Sequence, residues 1–139
     1  MASTPTTLSP DHQPAERCAT ERDRYLNMVF TTALEGAIGY WSQCSVYRWH
    51  VVGTDAVEAK DFLAVITEIG DGDVEEEHVI DRTVIARGIR RAYDRGNWND
   101  YQAAALRDLQ FGHWDDADFD AITADLVVQF GLFGEERYS

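Results

Sequence analysis

The chain has 139 residues, 45% of them hydrophobic and 12% aromatic, which is enough for one domain with a buried core and too apolar for a disordered chain. Its 12 basic and 25 acidic side chains leave a formal charge of -13, a surface that repels phosphate polymers, so direct DNA or RNA binding is not expected. Cys18 and Cys44 stand far apart in no metal-ligand spacing and read as reduced thiols of a cytoplasmic protein.

In chain order, residues 1–19 carry neither an apolar run nor a basic start and are expected to be a flexible leader, not a signal peptide or membrane span. Residues 20–139 form the single domain. Thr20 followed by Asp23 resembles a capping box, and a first helix is expected from there to Glu35, with Leu26, Val29, Phe30, Ala33 and Leu34 facing the core. Gly36 suits its end and Gly39 the turn that follows. Tyr40 to Val52 alternates as a strand, with Trp41, Tyr47, Trp49 and Val51 on one side and Cys44, Val46 and Val52 on the other. Phe62 to Ile69 is apolar on both faces and reads as a central strand. The GDGD turn at Gly70 to Asp73 leads to a third strand around Glu76 to Ile80, completing an antiparallel meander.

Asp81 can cap a helix from Arg82 to Arg95 that buries Val84, Ile85, Ile89, Ala92 and Tyr93 and ends at Gly96. A further helix is expected over Asp100 to Leu109, then a connector through Phe111, Gly112, His113 and Trp114. The last helix is expected from near Asp116, with Phe119, Ile122, Leu126, Val127 and Phe130 inward. Gly131 and Gly134 punctuate a tail whose Leu132 and Phe133 should fold back onto the core or onto another subunit. The fold class is therefore α+β: a small three-stranded antiparallel meander packed with an N-terminal helix and about three C-terminal helices.

Charge is unevenly placed. From Gly53 to Asp81 ten acidic residues face Lys60 alone, whereas the helix after them carries five arginines against Asp94. These two segments could neutralise each other. The alternative is an anion site: Arg87, Arg91 and Arg95 recur every four residues with Arg90 beside them, and guanidinium forks match phosphate oxygens bidentately. Tyr40, Trp41 and Trp49 could add a stacking wall for a base, which makes a nucleotide-like small molecule the ligand class.

Catalytic chemistry is harder to assemble. His78 with Asp81, or His113 with Asp115, offers a base and an orienting carboxylate, but no nucleophile motif accompanies either pair. The DGD turn departs from calcium-loop spacing, there is no zinc signature, P-loop or dinucleotide fingerprint, and no catalytic residue, metal or cofactor is assigned. Carboxylates along Asp55 to Asp81 and Asp115 to Asp125 support a different reading, an acidic protein inhibitor that imitates DNA for a nucleic-acid enzyme.

Two segments carry a resemblance. TALEGAIGYW at Thr32 to Trp41 and ADLVVQFGLFGEERY at Ala124 to Tyr138 resemble segments of uncharacterised small acidic proteins of bacteriophages and prophages of actinobacteria. The family form has two glycines where this chain has Gly36 and Ala37. The resemblance implies a phage accessory protein acting in the cytoplasm of a bacterial host, binding and sequestering a host protein or a nucleotide-like molecule of a defence system. An inhibitor of a host nucleic-acid enzyme and an enzyme acting on a phosphorylated small molecule are the alternatives. The apolar tail makes homo-oligomerisation an expectation.

Overall fold

The computed structural model describes residues 12–48, 62–69 and 75–139, without the side chains of 12–20, 48 and 115. Helix α1 spans His12–Gly36, strand β1 Ser42–Arg48, β2 Leu63–Glu68, β3 Glu76–Asp81, helix α2 Arg82–Arg95, α3 Asp100–Phe111 and α4 Ala121–Phe133. The strands form an antiparallel sheet in the order β1-β2-β3, so β2 is central. This is the expected α+β meander with flanking helices. No described helix is long and apolar enough to cross a membrane.

Helix α1 starts ahead of Thr20, so that residue lies inside the helix, and helix extends into the segment expected as a leader. Leu26, Val29, Phe30 and Ala33 are buried at helical spacing, and Leu34 packs at the edge of the core. After Gly36 the chain makes a single 3-10 turn over Ile38–Tyr40. Ala37 enters it at φ -121°, a conformation open to any residue, so no glycine is required there.

Strand β1 begins two residues later than the alternation suggested. Trp41 precedes it, buried at 1% exposure, and the pairing with β2 shifts between Cys44 and Val46. That bulge breaks the simple two-sided pattern. Trp49, Val51 and Val52 lie outside the described residues. In β2, Ala64, Ile66 and Glu68 are buried against the helices while Leu63, Val65 and Thr67 are half-buried on the other face, so only one face of the sheet is packed into the core. On that second face Val65 stands between Val46 and Val79, both exposed.

Asp81 ends β3 and starts α2 by accepting the Val84 amide. Val84, Ile85, Ile89 and Ala92 are buried as the helical period requires, with Tyr93 half-buried. Asn99 caps α3 through the Gln102 amide, and Gly112 ends it in left-handed geometry at φ 77°.

The last helix differs from its expected form. Residues Trp114–Asp116 make a 3-10 turn, α4 begins only at Ala121, and Asp120 caps it through Thr123. Phe119 precedes the helix, and Ile122 points outward at 63% exposure. Every residue from Thr123 to Gly131 is buried, so α4 is a central helix wrapped by α1, α2, the sheet and the tail. A helix apolar all round has no amphipathic stripe for sequence periodicity to detect. Nor does Gly131 stop the helix. It sits where α2 and α4 touch backbone to backbone: a Cβ on Gly131 would stand 2.3 Å from the Val84 carbonyl oxygen, and one on Gly88 1.9 Å from that of Val127. Gly134, at φ 75°, is the residue that closes α4.

The tail folds back within its own chain. The Tyr138 ring stacks on Trp41 at 5.3 Å, Phe133 meets Trp41 edge-on at 5.6 Å, and the Arg137 guanidinium lies 3.9 Å above the Phe133 ring. Its aromatic groups are thus engaged internally, and the apolar contact surface on which oligomerisation was expected is largely consumed by the protomer.

Candidate functional site

Helix α2 leaves its arginines off its buried stripe, as their spacing predicts, but they do not form one row of free cations. Arg87 donates from Nε to the Gly131 carbonyl oxygen at 2.9 Å, and Arg91 donates to the Phe130 carbonyl oxygen at 3.1 Å. Both carbonyls belong to the last turn of α4, at the negative end of the helix dipole, and that of Phe130 also accepts the capping Gly134 amide at 3.0 Å. The backbone contact at Gly88 and Gly131 is what brings α2 close enough for both arginines to reach them. Arg95 lies 4.3 Å above the Trp98 ring and donates to Gly96. Arg90 approaches Asp94 at 3.8 Å, a pair exposed on both sides and therefore weak.

The acidic segment does not neutralise this helix among the described residues. Arg82 is paired with Asp23 of α1, not with the meander, and no described carboxylate pairs with Arg87, Arg91 or Arg95. Residues 55–61, 71 and 73 lie outside the described residues.

Arg82, Arg87 and Arg90 instead converge with Arg22 of α1 around an open depression of about 640 Å³, completed by Thr83, Ala86 and Gln110. Arg22 is 65 positions or so from its neighbours on α2, so sequence spacing along one helix could not have revealed it. The tether from Arg87 Nε to Gly131 holds that guanidinium while leaving its terminal nitrogens for a ligand, since the group carries five N–H donors. A concave patch of four guanidiniums, of which Arg82 is paired with Asp23 and Arg90 only weakly with Asp94, concentrates positive potential in one place in a chain of formal charge -13. The arrangement can hold a phosphate or another multivalent oxyanion. It offers no nucleophile beside a base, for its other polar lining groups are a threonine and a glutamine.

Tyr40 and Trp41 are not part of this depression. Trp41 Nε1 donates to Asp125 Oδ1 at 2.9 Å and the Tyr40 hydroxyl to Asp125 Oδ2 at 2.7 Å. The buried Trp41 ring is therefore a core element that stacks on Tyr138 and not a wall for a base. Tyr40 is half-exposed and lines a separate depression, and burial of its hydroxyl, together with the hydrogen bond to Asp125 and the charge of that residue, pushes its pKa up. Trp49 lies outside the described residues.

A second polar assembly escaped sequence reasoning. Glu68, Asp125 and Gln129 count as ordinary polar residues along the chain, yet they are exposed by only 1%, 8% and 0%. Gln129 Oε1 accepts the amides of Arg137 and Tyr138 at 2.7 and 2.8 Å, and its Nε2 donates to Asp125 Oδ1 and the Tyr138 carbonyl oxygen, each at 3.0 Å. Glu68 accepts from the Tyr138 hydroxyl, from Arg137 at 3.2 Å and from His78 Nε2 at 3.0 Å. These bonds hold the tail against α4 and the sheet, and they link the Tyr40–Trp41 corner to the C-terminal segment. The stretches Thr32 to Trp41 and Ala124 to Tyr138 thus meet in one network. The only prior signal was a glutamine and an aspartate four apart inside an apolar run.

The pair of His78 with Asp81 does not form: His78 faces Glu68 and Glu76, while Asp81 is committed to its cap. His113 Nδ1 lies 3.3 Å from Asp108, and the side chain of Asp115 lies outside the described residues. Glu68, Glu76 and His78 bring one donor atom each within 4.8 Å of one another, a grouping not expected from sequence. Both oxygens of Glu68 already accept hydrogen bonds there, so the geometry is that of a closed clasp on the tail.

Burial alone would push the Glu68 carboxyl up, but the bonds from Tyr138, His78 and Arg137 and the charge of Arg137 outweigh it and hold the group below its ordinary 4.5. The unfolded chain then binds the proton more readily than the folded one. The stabilisation from Glu68 is complete above its unfolded-state value and is lost as pH falls through the lower folded-state value. Urea unfolding between about pH 3 and pH 7 should show an acid-side loss of stability that is shallower in Glu68→Gln. An identical acid slope in the variant would assign that loss to other carboxylates.

The chain matches no known protein family, no curated protein and no solved structure.

Proposed function

We propose that this protein binds a small phosphorylated ligand in the arginine-lined depression and acts by holding it, not by converting it. What supports the reading is the convergence of Arg22, Arg82, Arg87 and Arg90 from two helices on one concavity, in a molecule whose overall charge would otherwise repel anions. The depression is open and of drug-like size, suited to a nucleotide or another compact phosphate compound and not to a long polyanion. With the family resemblance, the biological setting follows: a bacteriophage accessory protein in a host cell that sequesters a phosphorylated signal of host defence. Arg87 would contact the ligand through its terminal nitrogens, Arg22 and Arg90 from the rim, and Arg82 through whatever its pair with Asp23 leaves unoccupied. Arg91 and Arg95 serve the helix ends in this reading and lie outside the contact set.

Titration calorimetry against cyclic and linear nucleotides and inorganic phosphate tests it. Saturable binding of at least one phosphorylated compound is expected, weakening as salt is raised. Arg22→Glu or Arg90→Glu, both on exposed arginines, should weaken it about tenfold or more, since one charge-assisted hydrogen bond is worth roughly 1.5–3 kcal/mol. Absence of binding across the panel by a folded protein would overturn the proposal.

A further inference from the structure

A second depression, of about 480 Å³, lies where the end of α1, the first turns of α4 and the tail meet, and no part of the proposed anion site touches it. Its walls are apolar, from Gly36, Ala37, Ile122 and Leu126, and its charged side chains are Asp125 and Glu136. Among the described residues no basic side chain lines it. We propose that this groove binds a small organic cation with an apolar body, a protonated amine bearing an aryl or alkyl group.

Three observations carry this assignment. First, Asp125 is 92% shielded yet receives only neutral donors, the Tyr40 hydroxyl, the Trp41 indole and the Gln129 amide, and no cation pairs with it among the described residues. Those bonds stabilise the carboxylate without cancelling its charge, so a negative potential is focused into a low-dielectric concavity. Second, the half-exposed Tyr40 ring stands at the same wall, and an aromatic face attracts a cation. Third, Ile122 holds an aliphatic side chain in water at the rim, although it belongs to the most buried helix of the fold, and an apolar ligand body would cover it. The positive end of α4 does not oppose the cation strongly, because the Asp120 carboxylate already accepts the Thr123 amide there.

The same features select against a metal ion. Hard cations require six or more oxygen ligands, whereas both Asp125 oxygens already accept hydrogen bonds and the walls supply carbon. A weakly hydrated alkylammonium or arylalkylammonium loses less on leaving water and gains apolar contact with Ile122 and Leu126.

The experiment is a chemical-shift titration of the full chain with 2-phenylethylammonium, compared with 2-phenylethanol and methylammonium. Saturable shifts centred on Tyr40, Ile122 and Leu126 are expected with the first compound. The neutral alcohol and the small cation should each bind about tenfold more weakly, since each lacks one of the two contributions. Ile122→Arg places a guanidinium at the mouth without disturbing the core and should weaken 2-phenylethylammonium about tenfold, while Glu136→Gln should weaken it a few-fold. Arg90→Glu and saturating inorganic phosphate should leave it unchanged, which keeps this site distinct from the arginine depression. Equal affinity for the alcohol and the ammonium, unchanged affinity in Ile122→Arg, or no saturable shift at these residues would overturn the proposal.

Discussion

Gly88→Ala should destabilise the fold by about 3 kcal/mol and lower the thermal midpoint by about 10 °C, the largest loss expected from adding a single methyl group anywhere in this chain. The built Cβ would stand 1.9 Å from the Val127 carbonyl oxygen and 2.8 Å from its carbonyl carbon, both backbone atoms in the buried stretch of α4. A flexible side chain could swing away, but here the helices themselves must separate. Separation opens the packing of Val84, Ile85 and Ile89 against Val127 and Phe130 and pulls Arg87 and Arg91 from the carbonyls they satisfy at the end of α4. Gly131→Ala meets the Val84 carbonyl oxygen at 2.3 Å and should cost a similar amount. Because either change alone already parts the helices, the double variant should lose clearly less than the sum. Gly39→Ala is the control: a Cβ there has nothing within 4 Å, and its effect should stay within about 0.5 kcal/mol. Equilibrium urea unfolding of the four variants measures all of this, and a Gly88→Ala protein as stable as the Gly39→Ala control would show that α2 and α4 are not in backbone contact.

This contact also explains why local reading succeeded at one helix and failed at the other. For α2 every signal agrees: Asp81 supplies the cap, the apolar residues recur at helical spacing, and Gly96 ends it, so its bounds are legible from the sequence. For α4 the apolar residues run all the way round, and Gly131 looks like a stop although it is a packing residue. Only the partner, Gly88, gives that glycine its meaning, and the two are 43 positions apart in the sequence. The arginine-lined depression divides in the same way. The arginines of α2 are visible as a spacing, but their partners are the carbonyls of α4 and the Arg22 side chain of α1, which no single segment displays. Tyr40 and Trp41 were legible as an aromatic corner, yet what the corner serves depends on Asp125, which the sequence shows only as one more acid among many.

The same assembly sets the other large effect, which turns on one atom. Gln129→Glu keeps the size and shape of the side chain and keeps an oxygen for the amides of Arg137 and Tyr138, but it exchanges the Nε2 donor for a second carboxylate oxygen. That oxygen would stand 3.0 Å from Asp125 Oδ1 and equally close to the Tyr138 carbonyl oxygen, at a position with no solvent exposure. Two carboxylates so placed cannot both be ionised cheaply, so one takes up a proton in the folded state and its folded pKa is raised above the unfolded one. A carboxyl raised in this way costs nothing while it is protonated in both states and costs progressively more as pH rises above the unfolded value of about 4.3. The variant should therefore be nearly as stable as the parent in mild acid and weaker by about 3–5 kcal/mol near pH 7, the opposite pH trend to that expected from Glu68. Gln129→Met, which removes the polar group without adding charge, should lose the tail bonds at every pH with no such trend. The loss should appear first as hydrogen exchange at Arg137 and Tyr138, whose amides depend on Gln129, and only later in the sheet. A Gln129→Glu protein whose stability difference from the parent is the same at mild acid and neutral pH would mean that Asp125 does not share its site with residue 129.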